Sequence, residues 1–181
     1  MEFLPAWQCG DPIYNEQDGI TYPTVFANDN NCWLQSNLGT SIVATAHNDT
    51  DAYGWYYQWG RETDGHQFPN STTTSTPSSQ DSPGHAYFIT DTSEPYDWRS
   101  PSNSDLWDGV NGVNNPCPAN WRVPNKFEWE TLISLEGIVN HTTAASSSLK
   151  ITTSGYRLQT GSSPFGGGQF ASYWTSSSAG S

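Results

Sequence analysis

The stretch 116–137, PCPANWRVPNKFEWETLISLEG, constrains the fold of this chain most, because it holds the only long amphipathic helix that the sequence predicts. Asn125 can cap this helix, and Glu128 follows three residues later, which is the spacing of a capping box. The apolar residues lie at mostly helical spacing: Phe127, Trp129, Leu132, Ile133 and Leu135. Gly137 is a suitable residue to end the helix. We therefore predict a core helix over about residues 125–136.

Two prolines make the approach to this helix rigid. Pro118 and Pro124 hold the residues before them extended, because a residue that precedes proline avoids the helical region. Trp121 lies between the two prolines, at a fixed offset from the helix. We predict that Trp121 closes one end of a core, so that this stretch organises the fold and performs no chemistry.

The composition predicts one domain held together by aromatic residues. A chain of 181 residues is long enough to bury a core, and 14% of it is aromatic although only 34% is hydrophobic. Each buried ring removes a large apolar area from water, which suits a loop-rich domain. We predict an N-terminal arm over residues 1–12 and a single domain over residues 13–181.

The net charge excludes two classes of partner. A charge of −12, with only six Lys and Arg, speaks against nucleic acid and against anionic membrane surfaces, because both attract basic proteins. No apolar run approaches the length of a membrane span, so direct membrane insertion is not predicted. Residues 1–7 lack the charged start and apolar core of a signal peptide, so we expect that an export signal has been removed or that the chain is trimmed.

Several other features favour an extracellular location, or one on a cell or virion surface. Lysine is rare and polar uncharged residues dominate, as in many secreted carbohydrate-facing or adhesive domains. Three cysteines allow at most one internal disulfide, and a Cys9–Cys32 bridge is geometrically reasonable although the sequence does not decide it. The candidate glycosylation sites are Asn48, Asn70 and Asn140.

The remaining sequence predicts short strands separated by long loops. Residues 13–37 are typical of a hairpin with a turn at Asp18-Gly19. Residues 53–59, YGWYYQW, have high β propensity and predict a central strand. Residues 69–84 are rich in Ser, Thr and Pro and predict a low-complexity surface loop. Shorter strands are predicted at 86–89 and 152–158, and a second helix within 142–150.

No pattern in the sequence supports a catalytic or metal site. The four histidines are scattered without metal-ligand spacing, and no nucleophile elbow accompanies the serines. The pairs Glu62/Asp64 and Asp105/Asp108 leave a carbohydrate-active enzyme as the weakest alternative, since glycoside hydrolysis uses two carboxylates at a defined separation. No cofactor is predicted. A structural calcium ion within residues 95–115 has no supporting motif, because the spacing matches no EF-hand loop.

The stretch that organises the fold also resembles a known family. Cys117-Pro118-x-x-Trp121-Arg122-Val123-Pro124, followed by Glu128-Trp129 and Leu132, resembles the central signature of the Fibrobacter succinogenes major paralogous domain family. Further segments resemble that family in the same order: Tyr22-x-Thr24-Val25, Cys32-Trp33-Leu34, Asn37-Leu38, Tyr57-x-Trp59, Leu149-Lys150, Gly155-Tyr156-Arg157 and Tyr173-Trp174-Thr175-Ser176-Ser177. The resemblance covers about residues 13–178.

The resemblance implies an α+β, C-type-lectin-like fold with a mixed, mostly antiparallel sheet, one main helix, a short second helix and long irregular loops. Members of the family usually continue through further strands to a cysteine-containing end. This chain stops at Ser181, so we expect it to be shortened, with an open sheet edge that invites self-association. Residues expected to have structural roles are Trp33, Trp59, Trp121, Arg122, Trp129 and Trp174.

The same resemblance implies a place for ligands. Some lectin-fold relatives are targets of diversity-generating retroelements, which vary solvent-facing residues near the C-terminus for ligand binding. The corresponding span here holds small polar and aromatic residues, which suit an adaptable surface. The predicted ligand-binding residues are Leu158, Gln159, Thr160, Ser162, Ser163, Phe165, Gln169, Phe170, Ser172 and Tyr173.

These observations predict an extracellular ligand-binding or adhesion module that presents a loop surface to a protein or a glycan. The alternative is a structural subunit of an extracellular filament or surface layer.

Overall fold

Short strands come first along the chain and the two α-helices come last, which confirms the predicted α+β class. The structure, a computed structural model, describes residues 6–91, 93–161 and 163–178. The strands are β1 (Ile13–Asn15), β2 (Ile20–Tyr22), β3 (Thr24–Phe26), β4 (Cys32–Leu34), β5 (Thr73–Thr74) and β6 (Phe88–Ile89). The helices are a 3₁₀ turn (Thr50–Ala52), α1 (Lys126–Leu135) and α2 (His141–Ser146).

The strands form three separate two-stranded sheets within the described residues, where the sequence predicted one mixed sheet. β1 pairs with β2 and β3 with β4, both antiparallel, whereas β5 and β6 are parallel. The predicted hairpin at 13–37 is therefore two hairpins in succession. The first turns where expected, because Asp18 accepts the Ile20 amide at 2.9 Å and Gly19 takes a positive φ of 73°.

The predicted strands at 53–59 and 152–158 are wrong. Residues 53–58 form no strand: Tyr53 has helical dihedral angles and Gly54 a φ of 72°. Trp55 donates to the Leu38 carbonyl and Tyr56 to the Gln67 carbonyl, and both acceptors lie in loops. β propensity favours an extended backbone but does not supply a partner strand. In the second segment the described residues form only isolated bridges, such as Gly155 with Ala171.

Helix α1 is confirmed with its capping box. Asn125 Oδ1 accepts the Glu128 amide at 2.9 Å, and Glu128 Oε2 accepts the Asn125 amide at 2.8 Å. Its predicted apolar face is only partly buried: Leu132 is inaccessible to solvent, whereas Phe127 is 75% and Leu135 54% exposed. The helix therefore contacts the core through a narrow stripe around Leu132 and Trp129.

The core consists of three small clusters. One joins α1 to α2 and to the chain after them, the second lies beside β6, and the third lies under the approach to α1. Their buried members are Ala27, Leu132, Ala144, Leu149 and Ile151; Ile89, Trp98 and Leu106; and Trp107, Cys117 and Val123. A core divided in this way leaves space between its parts, and that space is the candidate site.

The low-complexity segment 69–84 is mostly exposed but is tied to the rest of the domain. It contains β5, and the Ser78 amide donates to the Trp98 carbonyl at 2.9 Å. Asp81 forms an ion pair with Arg99 at 2.8 Å. Residues 1–5 of the predicted arm and residues 179–181 of the predicted domain lie outside the described residues.

Candidate ligand-binding groove

A groove of about 1350 Å³ runs between the approach to α1, the segment 53–58 and the segment 171–174. Its aromatic lining includes Trp7, Trp33, Tyr53, Trp55, Trp121, Tyr156 and Trp174. Among the described residues, the Asp, Glu, Lys and Arg side chains that line it are Arg122, Glu128 and Arg157. In a protein with a net charge of −12, the groove is thus an apolar and nearly neutral surface.

A glycine holds the segment 53–58 close to the preceding loop. A Cβ atom added at Gly39 would lie 2.3 Å from the indole ring of Trp55, so the ring packs directly on the glycine backbone. Gly39 also has a φ of 95°, which favours glycine. The position of Trp55 in the groove wall therefore depends on Gly39.

A buried polar network holds the same segment from the other side. Arg61 and His66 are both inaccessible to solvent. His66 Nε2 accepts the Gln58 amide at 3.0 Å, so the ring proton is on Nδ1, which donates to Asp64 Oδ1 at 2.6 Å. Arg61 forms an ion pair with Asp64 and donates to Gln58 Oε1 at 2.9 Å. The network fixes Gln58 through both its backbone and its side chain.

The protonation states of this network follow from burial. Burial lowers the pKa of His66 to about 4, and the hydrogen bond to Asp64 opposes this only in part. Burial also lowers the pKa of Arg61. Burial raises the pKa of Asp64, but the hydrogen bonds from His66 and the charge of Arg61 outweigh it, so the Asp64 pKa is lowered. At neutral pH His66 is therefore neutral and Asp64 is ionised.

Indole N–H groups connect the walls of the groove. Trp174 donates to the Tyr57 carbonyl at 2.8 Å, and Trp59 donates to the Thr175 carbonyl at 2.8 Å. Trp129 donates to the Trp174 carbonyl at 3.1 Å. These bonds run through side chains and not from backbone to backbone, so the segments 57–59 and 174–175 are not paired as neighbouring strands.

An arginine closes the end of the groove near α1. Arg122 donates to Glu128, in the first turn of α1, at 2.8 and 2.5 Å. The hydrogen bond raises the pKa of Arg122 and lowers that of Glu128. A smaller cavity of about 490 Å³ adjoins this end, and it is lined by Arg122 together with Asp105 and Asp108.

Cys117 lies on the floor of the groove as a free thiol. It is 8% exposed, and burial raises its pKa to about 12. The other two cysteines form the Cys9–Cys32 disulfide, which confirms the bridge that the sequence left open.

The expected structural residues make the contacts that such a role requires. Trp33 packs on Trp129 with ring centroids 5.2 Å apart, and Trp59 packs on Trp107 at 5.7 Å. Trp121 contacts Trp7 edge to face at 5.9 Å. The Trp174 ring is 53% exposed although its N–H is bonded, so it belongs to the groove surface as well as to the frame.

The structure divides the predicted ligand-binding residues into two sets. Ser172 and Tyr173 line the groove, but the Tyr173 hydroxyl is bonded to Thr152 and its ring packs on Trp129 at 5.5 Å. Ser162 lies outside the described residues. The others are exposed on a loop surface beyond the groove: Leu158, Gln159, Thr160, Ser163, Phe165, Gln169 and Phe170. Tyr156 lines the groove and contacts Phe165 at 6.0 Å, so the two surfaces are continuous.

The predicted glycosylation asparagines have different surroundings. Asn48 and Asn70 are exposed, while the side chain of Asn140 caps α2 by accepting the Thr142 and Thr143 amides. Both carboxylate oxygens of Asp64 are engaged by Arg61 and His66. Across the described ranges, no group of three His, Cys, Asp or Glu side chains could hold a metal ion. In the same part of the chain, no helix is long and apolar enough to cross a membrane.

Sequence reasoning did not find the groove. It predicted a central strand over residues 53–59, and the spacing of Gly39 from Trp55 gives no signal that the two residues touch. The one sequence signal was the density of aromatic residues in a chain with little aliphatic content. No protein family, curated protein or solved structure matches this chain, so the groove and the loop surface beside it are the features from which its function can be inferred.

Proposed function

We propose that this protein is an extracellular or surface-displayed ligand-binding or adhesion module with a C-type-lectin-like fold. The observation that carries the proposal is the aromatic groove, which continues through Tyr156 and Phe165 into the exposed loop surface at 158–170. Exposed rings bordered by small polar residues are typical of binding surfaces that adapt to a protein or glycan.

The size of the groove favours a polymer over a small molecule. Pockets for small molecules and cofactors enclose roughly 300–1,000 Å³, whereas this groove has about 1350 Å³ and is open to solvent. Its few charges are already satisfied, since Arg122 is paired with Glu128 and Arg157 donates to the Phe68 carbonyl and to Ser71. Apolar contact and hydrogen bonding would therefore dominate binding.

Two features support a location outside the cell. Disulfides persist in oxidising compartments, and Cys9–Cys32 ties the N-terminal arm to β4. Asn48 and Asn70 are exposed, as glycosylation requires.

The C-type-lectin-like fold is supported by the small antiparallel hairpins, the two helices and the long loops.

Binding arrays with a matched pair of variants test the proposal. Trp55→Ala removes a ring from the groove, whereas Phe127→Ala removes a more exposed ring from α1, outside the groove. We expect the unmodified protein and Phe127→Ala to bind the same members of a glycan array or a peptide array. Trp55→Ala should lose that binding at least tenfold while keeping its circular dichroism spectrum. Equal binding by both variants would exclude the groove as the binding site, and no binding by the unmodified protein would contradict the proposal.

A second pair separates the groove from the loop surface. Replacing residues 158–170 by Gly and Ser changes the loop alone, and Trp55→Ala changes the groove alone. Loss of binding in the loop variant only would assign the ligand to the predicted loop residues.

A structural subunit of an extracellular filament or surface layer is the second candidate. The observation in its favour is that each sheet among the described residues has two strands, so every strand has one open edge that another chain can extend. Light scattering at low and high concentration, with negative-stain images, distinguishes the two functions. Regular polymers support the filament subunit, and a stable monomer contradicts it.

A further inference from the structure

The backbone of Tyr57 faces the groove with an unused hydrogen-bonding position. Along residues 55–58 the backbone amides point to alternate sides. Trp55 donates to the Leu38 carbonyl, whereas Tyr56 and Gln58 donate to the Gln67 carbonyl and the His66 ring. The Tyr57 amide therefore points to the same side as that of Trp55, and within residues 6–91, 93–161 and 163–178 no protein acceptor receives it. Its carbonyl, on the same side in an extended chain, accepts the Trp174 indole.

The opposite wall of the groove also has a backbone amide without a protein acceptor. In the described part of the chain, the Tyr173 amide also donates to no protein group, and the neighbouring Trp174 carbonyl is bonded only through the Trp129 indole. Tyr57 and Tyr173 thus both line the groove with backbone amides that no group of the described residues accepts. An extended polypeptide in the groove can bond to these backbone groups as an added strand does.

The charge of the molecule restricts which polypeptide fits. Alternate side chains of a strand point to opposite faces, so one set would enter the apolar groove and the other would face outward. Outside the groove the chain is acidic: Asp105 and Asp108 line the cavity that adjoins Arg122, and Asp29 binds the Trp33 indole. A second copy of this chain, with a charge of −12, would be repelled. Basic outward side chains would be attracted.

We propose that the groove binds an extended strand of another polypeptide in which apolar residues alternate with Lys or Arg, paired through the Tyr57 backbone. This inference rests on the proposed function, because it names the ligand class of the same groove. In forming the strand pair, a backbone amide of the ligand replaces the Trp174 indole at the Tyr57 carbonyl, and a ligand carbonyl accepts the Tyr57 amide. An eight-residue strand spans about 26 Å at roughly 3.3 Å per residue.

The probes are capped eight-residue peptides in which Lys alternates with Val, Leu, Phe or Tyr. Their binding is followed by fluorescence anisotropy. Two control peptides carry N-methyl groups, one on every Lys amide and one on every apolar-residue amide, so that each lacks the donors of one edge. A third control has Glu in place of Lys. Neutral hexasaccharides of glucose and of N-acetylglucosamine test the glycan class.

We expect saturable binding of at least one alternating peptide, with a tenfold or greater loss for at least one N-methylated form and for the Glu form. Amide hydrogen exchange at Tyr57, measured by NMR, should slow at least tenfold in the complex. Trp55→Ala should lose the peptide, and Phe127→Ala should keep it.

Three results would overturn the strand proposal. Binding of both N-methylated peptides as tight as that of the unmodified peptide would show that no backbone pairing occurs. Binding of a hexasaccharide without any peptide, abolished by Trp55→Ala, would leave the proposed function standing with a glycan ligand. If no peptide and no saccharide binds, and the glycan and peptide arrays also show no binding, the groove is rejected as a binding site. The proposed function is then rejected with it.

Discussion

The indole N–H of Trp174 donates to the backbone carbonyl of Tyr57 at 2.8 Å, and this bond joins two segments that are 117 residues apart in the chain. A side chain here occupies a position that a neighbouring strand takes in an ordinary sheet. Because the Trp174 ring is half-exposed, the bond can be exchanged for another without disrupting a core cluster.

Trp174→Phe should remove this bond while retaining most of the ring. We expect the free energy of unfolding to fall by about 1 kcal/mol, the typical net contribution of one hydrogen bond. Urea unfolding of the purified variant measures it. Trp7→Phe is the control, because among the described residues the Trp7 indole N–H has no acceptor, and its stability should remain within about 0.5 kcal/mol.

Gly39→Ala should be more damaging than an equivalent change at Gly10. Both glycines have positive φ, 95° and 106°, so both substitutions incur backbone strain of roughly 1–2 kcal/mol. Only at Gly39 would the new Cβ meet the Trp55 ring, at 2.3 Å, whereas nothing lies within 4 Å at Gly10. We expect Gly39→Ala to cost about 1–3 kcal/mol more in urea unfolding and to weaken ligand binding. Equal losses would show that Trp55 moves freely.

His66 should make stability fall as the solution becomes acidic. Its pKa is about 6.5 in the unfolded chain and about 4 in the folded protein, so the unfolded state binds a proton first. The stabilisation is complete above about pH 6.5, declines as pH falls, and is lost below about pH 4. The full effect is on the order of 3 kcal/mol.

The comparison that isolates this effect uses His66→Gln. The variant should be less stable at pH 7, because the Gln58 amide and Asp64 lose their partner. Its free energy of unfolding should nevertheless change much less between pH 6.5 and pH 4.5 than that of the unmodified protein. The same slope in both proteins would show that another group governs the acid response.

Removal of the Cys9–Cys32 disulfide should destabilise the domain. The bridge closes a loop with a sequence separation of 23 residues, for which chain entropy predicts about 3 kcal/mol. Cys9→Ser/Cys32→Ser should therefore melt at a lower temperature and no longer respond to reductant. Cys117→Ser is the control, and its melting temperature should still fall when reductant is added. Reductant sensitivity in the double variant would contradict the assignment.

The parts of the fold that depend on short-range chemistry were predictable. The capping box of Asn125 and Glu128 joins residues three apart, so the start of α1 could be read directly. The turn at Asp18-Gly19 is also local. The Cys9–Cys32 bridge was one of the pairings that the sequence allowed, and the fold selected it.

The parts that depend on distant contacts were not predictable. Residues 53–59 have strong β propensity, but the backbone amides of Trp55, Tyr56 and Gln58 donate to Leu38, Gln67 and the His66 ring, none of which the pattern identifies. Likewise, the apolar spacing of α1 did not reveal that Phe127 faces solvent, because periodicity shows a stripe without showing what covers it. The groove is formed by these same long-range contacts.

Burial limits the reactions of the Cys117 thiol with other thiols. An odd cysteine at the surface of a secreted protein is readily captured by other thiols, and the products are covalent dimers and mixed adducts. With a pKa near 12, only on the order of one Cys117 side chain in 10⁴ to 10⁵ is a thiolate at neutral pH. Burial at the groove floor therefore keeps the Cys117 thiol unreactive, and a ligand that fills the groove would shield the thiol further.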